Sequence, residues 1–171
     1  AHGQTALATA SPSSFTEYIE KQPPHIQHLL GNLHTDNIDL DYWIQAINEG
    51  TVTIATDGSV AKRKGYFAVV FHTEELTIRF QGPCDGNEAL MTSYRTELTG
   101  ILSALYLLQA LIKFTGTTPS GAPPLFCDNI SAVKRTNAPT LPGVKVHVSP
   151  DFDLVQEIRT IKQDIPEFTA S

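Results

Sequence analysis

Residues 52–71, VTIATDGSVAKRKGYFAVVF, decide how this chain folds. Residues 52–57 read as a buried strand of β-favouring side chains that runs into a carboxylate, Asp57, followed by Gly58, Ser59 and the basic turn of Lys62, Arg63 and Lys64. An ionised carboxylate in an apolar site is costly unless it is paired, hydrogen-bonded or coordinating a metal. Two readings stay open from these residues alone. Asp57 closes the strand as ordinary Asp-Gly turn chemistry, or it belongs to a functional site.

Beyond this stretch, GYFAVVFHT and LTIRFQG continue the β pattern with short connections, which predicts a three-strand antiparallel meander. Next comes SYRTELTGILSALYLLQALIKF, where Leu98, Ile101, Leu102, Leu105, Leu108 and Leu111 recur at intervals of three and four. This spacing predicts a long helix with Ser93 as N-cap and Gly116 just past its end. A loop, TGTTPSGAPP, leads into LFCDN, a second short apolar run ending on an acid. A short helix over 129–136, a loop APTLPG, a brief extended segment VKVHV and a last helix through Leu154, Val155, Ile158 and Ile161 complete the pattern.

Upstream, the adjacent Pro23 and Pro24 divide the loosely helical residues 15–33 into two short helices, with Pro24 opening the second. DLDYWIQAINEG predicts a further helix capped at Gly50. Residues 1–14 carry no apolar period and read as a tail or linker. The expected organisation is therefore a tail at 1–14, a helical N-terminal extension at 15–50 and an α/β domain at 51–171.

The 171 residues suit one domain, and 41% hydrophobic with 18% charged residues is ordinary globular usage. A net charge of −6 argues against coating nucleic acid through bulk electrostatics, although local basic patches still act inside an acidic protein. Cys84 and Cys127 lack metal-type spacing, so free thiols and an intracellular protein, cytoplasmic or nuclear, are expected. No apolar run reaches the length of about 18 residues that a membrane span needs, so no membrane partner is expected.

Three acids share a pattern: Asp57 at the end of one strand, Glu97 in the first turn of the long helix, and Asp128 at the end of another strand. If residues 52–57 pair in parallel with LFCD across the long helix, Asp57 and Asp128 lie side by side and Glu97 points toward them. Clustered carboxylates raise one another's pKa unless a cation neutralises them. Divalent Mg²⁺ or Mn²⁺, which prefers oxygen ligands, is the natural occupant.

The segments IATDGS around Asp57, YRTELTGILSAL around Glu97 and FCDNISAVK around Asp128 together resemble type 1 ribonuclease H, especially the domains attached to retroelement reverse transcriptases. The resemblance covers residues 51–165. It implies an α/β fold, an RNase H-like five-stranded mixed sheet flanked by helices. It further implies that Asp57, Glu97 and Asp128 bind two Mg²⁺ or Mn²⁺ ions and that the RNA strand of an RNA–DNA hybrid is hydrolysed. A reverse transcriptase domain in the same polyprotein is the implied partner. Gly58, Ser59 and Asn129 stand beside the ligands as substrate contacts, with turn and helix-cap roles an equal alternative. Lys62, Arg63 and Lys64, and Lys134 and Arg135, are candidates for tracking phosphates, with solvated turns the alternative.

The family carries a fifth strand, a loop with a histidine and a fourth Asp at the start of a last helix, whereas this sequence stops at PEFTAS. The expectation is a domain cut before those elements, with EFTAS the beginning of the strand. A second reading makes VKVHV the last strand and Asp151 or Asp153 the fourth carboxylate; acids stabilising the N-terminal dipole of a helix is the plainer account of both. Two functional alternatives follow: a nuclease-dead RNase H-like module that binds nucleic acid or supports a polymerase domain, and a related integrase or resolvase.

Overall fold

The structure, a computed structural model, describes residues 14–138 and 151–171. The expected tail, save Ser14, and the expected extended segment VKVHV lie outside the described residues.

The three strands of the meander are β1 (Thr53–Ala61), β2 (Lys64–His72) and β3 (Thr77–Pro83). Strand β1 runs four residues past Asp57, which corrects the expectation that the acid ends the strand. The physical reason is the pleat. Ile54 and Thr56 face inward and are buried, while Asp57 and Ser59 face out and are exposed, so the strand carries its charge on the wet side. The chain reverses only at Lys62 and Arg63, whose φ values of 51° and 65° give the left-handed pair that a two-residue hairpin requires.

Among the described residues three α-helices precede the meander. Before β1 come α1 (Phe15–Glu20), α2 (Pro24–Leu29) and α3 (Leu40–Glu49). Pro24 does open α2, and Gly50 ends α3 in the left-handed conformation, with φ of 74°. These helices share the main core. Phe15 packs edge-on against Phe114 with ring centroids 5.5 Å apart, and Trp43 meets Phe71 at 6.5 Å. Between α2 and α3, Asn32 clips the free edge of β3: its N–H donates to Gln81 O at 3.0 Å and its Oδ1 accepts from Gln81 N–H at 2.8 Å. An edge strand covered in this way has fewer open groups for a second chain to pair with.

The long helix α4 (Ser93–Thr115) crosses the sheet. Its N-cap is Thr92 rather than Ser93, with the Thr92 hydroxyl accepting from Arg95 N–H, so Glu97 falls in the second turn and not the first. Leu98, Ile101, Leu102, Leu105, Leu108 and Leu111 are fully buried. By length and composition α4 is long and apolar enough to cross a membrane, contrary to expectation, yet 67% of its most apolar window is buried inside the fold.

After α4 come β4 (Leu125–Phe126), α5 (Ile130–Asn137) and α6 (Phe152–Lys162). The sheet order is β3-β2-β1-β4, antiparallel within the meander and parallel between β1 and β4. Among the described residues this is a four-stranded mixed sheet rather than the five-stranded one expected. An isolated parallel bridge joins Leu125 to Ala170, within the residues expected to begin a fifth strand. Ser171 N–H donates to Leu125 O at 2.8 Å, and Cys127 N–H donates to Ser171 O at 2.9 Å.

Candidate active site

The site is set by how closely α4 approaches β1. A Cβ added to Gly58 would fall 2.4 Å from Thr96 Oγ1 and 2.7 Å from Glu97 N, so only glycine lets the helix backbone lie on the strand here. From the other side, a Cβ on Gly100 would meet Asp57 O at 3.4 Å. This contact brings Glu97 down beside Asp57. The Gly58 N–H donates to both acids, to Asp57 Oδ1 at 2.9 Å and to Glu97 Oε1 at 3.1 Å. Gly58 thus orients the two carboxylates through its backbone.

The parallel pairing supplies the third acid. Ile54 is opposite Leu125 and Ala55 opposite Phe126. Continued past the end of β4, that register would set Thr56 opposite Cys127 and Asp57 opposite Asp128. Donor atoms of Glu97, Cys127 and Asp128 all lie within 4.8 Å of one another. Asp57 lies outside this tightest set and is tied to it by the shared Gly58 N–H.

Electrostatics follow from that crowding. Burial, first of all, pushes the Glu97 carboxyl above its ordinary range, and the fields of Asp128 and Asp57 push it the same way. Donation from Cys127 and from Gly58 N–H offsets part of the rise. Cys127 Sγ lies 3.3 Å from Glu97 Oε2 and donates to it. Burial lifts that thiol to about 11, with the Glu97 charge contributing in the same direction, so it is a neutral donor at neutral pH.

Asp151 and Asp153 have a different partner. Arg95 Nη1 donates to Asp153 Oδ1 at 3.0 Å and reaches Asp151 Oδ1 at 3.4 Å, while its Nη2 donates to Asp153 Oδ2 at 2.9 Å. Arg95 holds Asp153 below the usual carboxylate range. Asp151 and Asp153, the candidates for a fourth ligand, thus share Arg95 as a partner.

Of the suggested substrate contacts, Asn129 caps α5, its Oδ1 accepting from Ala132 N–H at 2.9 Å. Ser59 is exposed and, with Asp57 and Gly58, lines a cleft of about 400 Å³ that also takes Asn32, Tyr66 and Gln81. Lys134 and Arg135 lie in the last turn of α5. Sequence reasoning missed Cys127 and Arg95. The first was visible as the neighbour of Asp128, and the second as the only cation of the YRTEL segment.

The donor chemistry fits a hard divalent cation. Glu97, which is buried, and Asp128 lie close together with Asp57 linked to Glu97 through Gly58, and the described residues bring a backbone N–H and a neutral thiol to them rather than a lysine or arginine. Asp57, Glu97 and Asp128 are the residues that would hold Mg²⁺ or Mn²⁺.

Mixed sheet, crossing helix and acid positions together define an RNase H-like fold, and solved structures agree. RNase H1 from the halophilic archaeon Halobacterium salinarum superposes with a TM-score of 0.50 at 13% identity, covering 70% of this chain and 83% of that one. LC11-RNase H1 in complex with an RNA/DNA hybrid gives a TM-score of 0.52 at 14% identity, covering 70% and 83%. The N-terminal RNase H domain of a Mycobacterium tuberculosis protein gives 0.50 at 14%, covering 70% and 79%. At these identities the likeness is one of fold. No family model matches the chain, and no curated protein matches it.

Proposed function

We propose that this chain is a metal-dependent endonuclease domain that hydrolyses the RNA strand of RNA–DNA hybrids. The observation that carries the reading is the grouping of Glu97 and Asp128 on an RNase H-like sheet, with Asp57 tied to Glu97 by the Gly58 N–H they share. When bound there, a pair of Mg²⁺ or Mn²⁺ ions supplies an activated water and stabilises the leaving oxygen. The chain's own contribution is placement. Gly58 fixes Asp57 and Glu97, the parallel register of β1 and β4 delivers Asp128, and the wet face of β1 leaves Asp57 open to a substrate. A role beside a reverse transcriptase in a retroelement polyprotein is supported by the sequence motifs around the three acids.

The test is cleavage of an RNA–DNA hybrid against duplex DNA of the same sequence, with Mn²⁺ and with Mg²⁺. Cutting confined to the RNA strand and lost in Asp57→Asn supports the reading; cutting of duplex DNA moves it to an integrase or resolvase. The Arg95 pairing of Asp151 and Asp153 favours a second reading, since it leaves three acids in the group among the described residues. In that reading the module binds hybrid without cutting it, and the same assay reports binding with no product.

A further inference from the structure

The acid site contains one donor for which a hard cation has little use. Cys127 Sγ lies 3.3 Å from Glu97 Oε2, and donor atoms of Glu97, Cys127 and Asp128 all fall within 4.8 Å of one another, while Asp57 stands outside that set. Zn–S and Zn–O bonds of about 2.3 and 2.1 Å, meeting at the tetrahedral angle, hold their two donors about 3.6 Å apart. The sulfur and the Glu97 carboxylate are already close to that separation, so an ion settles between them with little movement of either side chain. Asp128 is exposed and Cys127 half-buried, which leaves one side of the group open to solvent and to a water ligand.

A separate observation concerns what stands behind the sulfur. Thr56 is only 7% exposed, and its buried hydroxyl makes no hydrogen bond among the described residues. The group that hydroxyl faces is the Cys127 sulfur, and the Asn129 N–H faces the same atom. A neutral thiol is a weak acceptor and gains little from two donors, whereas a metal-bound thiolate carries charge that both stabilise. A buried hydroxyl without a partner is costly, and an anionic sulfur supplies the missing acceptor. Donors placed behind a ligand in this way orient it and tune its hold on a metal. Softness then decides which ion. Thiolate selects Zn²⁺ and other thiophilic cations, whereas Mg²⁺ and Mn²⁺ favour all-oxygen shells. Two carboxylates, one thiolate and a water make a four-coordinate zinc set.

We propose that Cys127, Glu97 and Asp128 form a site for a thiophilic divalent cation, Zn²⁺ above all, which excludes Mg²⁺ or Mn²⁺ from the acids and holds the nuclease inactive. The inference rests on the reading of Glu97 and Asp128 as ligands of the catalytic ions, and it adds to that site a sulfur ligand and an ion that blocks it. On binding, the S–H bond breaks, its proton passes to solvent, and the freed electron pair on sulfur forms the bond to the metal; nothing is oxidised or reduced. Glu97 and Asp128 cannot serve this ion and the catalytic pair at once.

Cd²⁺ reads the sulfur directly, because a cadmium–thiolate bond carries its own charge-transfer absorption in the ultraviolet. Titrated into the chain, Cd²⁺ is expected to raise a band that saturates at a single ion per chain, persists in Cys84→Ser and is lost in Cys127→Ser. Zn²⁺ is expected to bleach the band by displacement, and excess Mn²⁺ to lower the apparent affinity for Cd²⁺. Thr56→Val, which keeps the shape of the side chain and removes its hydroxyl, is expected to weaken Zn²⁺ binding by about tenfold or more. Melting curves confirm that each variant folds, and the band in the parent chain depends on no variant. In the hybrid-cleavage assay with Mn²⁺, added Zn²⁺ is expected to stop cutting in the parent and in Cys84→Ser. No band in a chain whose Tm still climbs with Mn²⁺ overturns the sulfur site and leaves the acids standing as a metal site. A band that survives Cys127→Ser, or one that Mn²⁺ does not weaken, overturns the shared site. A chain that responds to neither ion overturns both readings.

Discussion

Two groups of acids flank the start of α4 and differ in what neutralises them. Asp151 and Asp153 are gathered by Arg95, a guanidinium whose side chain is only 10% exposed, which offsets one of their two charges within the fold. Glu97 and Asp128 are gathered with Asp57 by a glycine N–H, a thiol and strand register, and among the described residues no cationic side chain accompanies them. The first arrangement holds its cation within the fold. On the proposed reading the second would be neutralised by a divalent ion, which is the physical difference between a structural ion pair and a metal site.

The largest expected effect comes from breaking the completed group. Arg95→Met leaves Asp151 and Asp153 without their cation and also removes the Arg95 donor to Asp85 O. Breaking a buried pair costs about 3–5 kcal/mol; with Asp153 largely exposed, about 3 kcal/mol is the expected loss by urea denaturation. A loss under about 1 kcal/mol would mean that the network is not a structural one.

Gly58→Ala attacks the other group through its geometry. The added methyl meets Thr96 and the Glu97 backbone, so the helix must back away from the strand. Overpacking of this kind costs about 1–3 kcal/mol, and the retreat carries Glu97 away from Asp57. Metal affinity is expected to fall with stability; a variant that loses stability and keeps its metal would separate the two.

A smaller and opposite effect is expected from Glu97→Gln without metal. Burial raises the folded-state pKa of Glu97 above its unfolded value. Its contribution to stability is therefore fully present below the unfolded pKa and lost as pH rises through the raised one. At pH 7 the ionised side chain is a liability that glutamine removes, so Tm rises in the variant. The gain shrinks toward zero as pH falls into the carboxylate range. Melting curves across pH 4–8 in chelator read it directly, and a variant less stable than its parent at pH 7 contradicts the assignment.

Much of this was legible in the sequence because the signals were local. The 3 and 4 spacing of Leu98, Ile101, Leu102, Leu105, Leu108 and Leu111 gave α4, and the β-rich runs gave the meander. The three acids were legible because each sits next to such a run. Three features were not. The continuation of β1 past Asp57 depends on which face of the pleat is wet, and that is decided by α4 lying on the other side. Arg95 meets Asp151 and Asp153 across more than fifty residues of sequence, a contact that only the packing of α6 near the start of α4 creates. Cys127 entered the site for a related reason: parallel pairing with β1 turns its side chain toward Glu97.

The most direct measurement is a calorimetric melt of the chain against rising Mn²⁺, run beside Glu97→Gln and Asp153→Asn. A ligand that binds only the folded state adds about 2.7 kcal/mol at a hundred times its Kd, so Tm climbs steadily with the logarithm of metal concentration. The account predicts that climb in the parent and in Asp153→Asn, whose acid already has its arginine, and a flat response in Glu97→Gln. No climb in the parent at millimolar Mn²⁺, or an equal climb in Glu97→Gln, would contradict the claim that Asp57, Glu97 and Asp128 form a metal site.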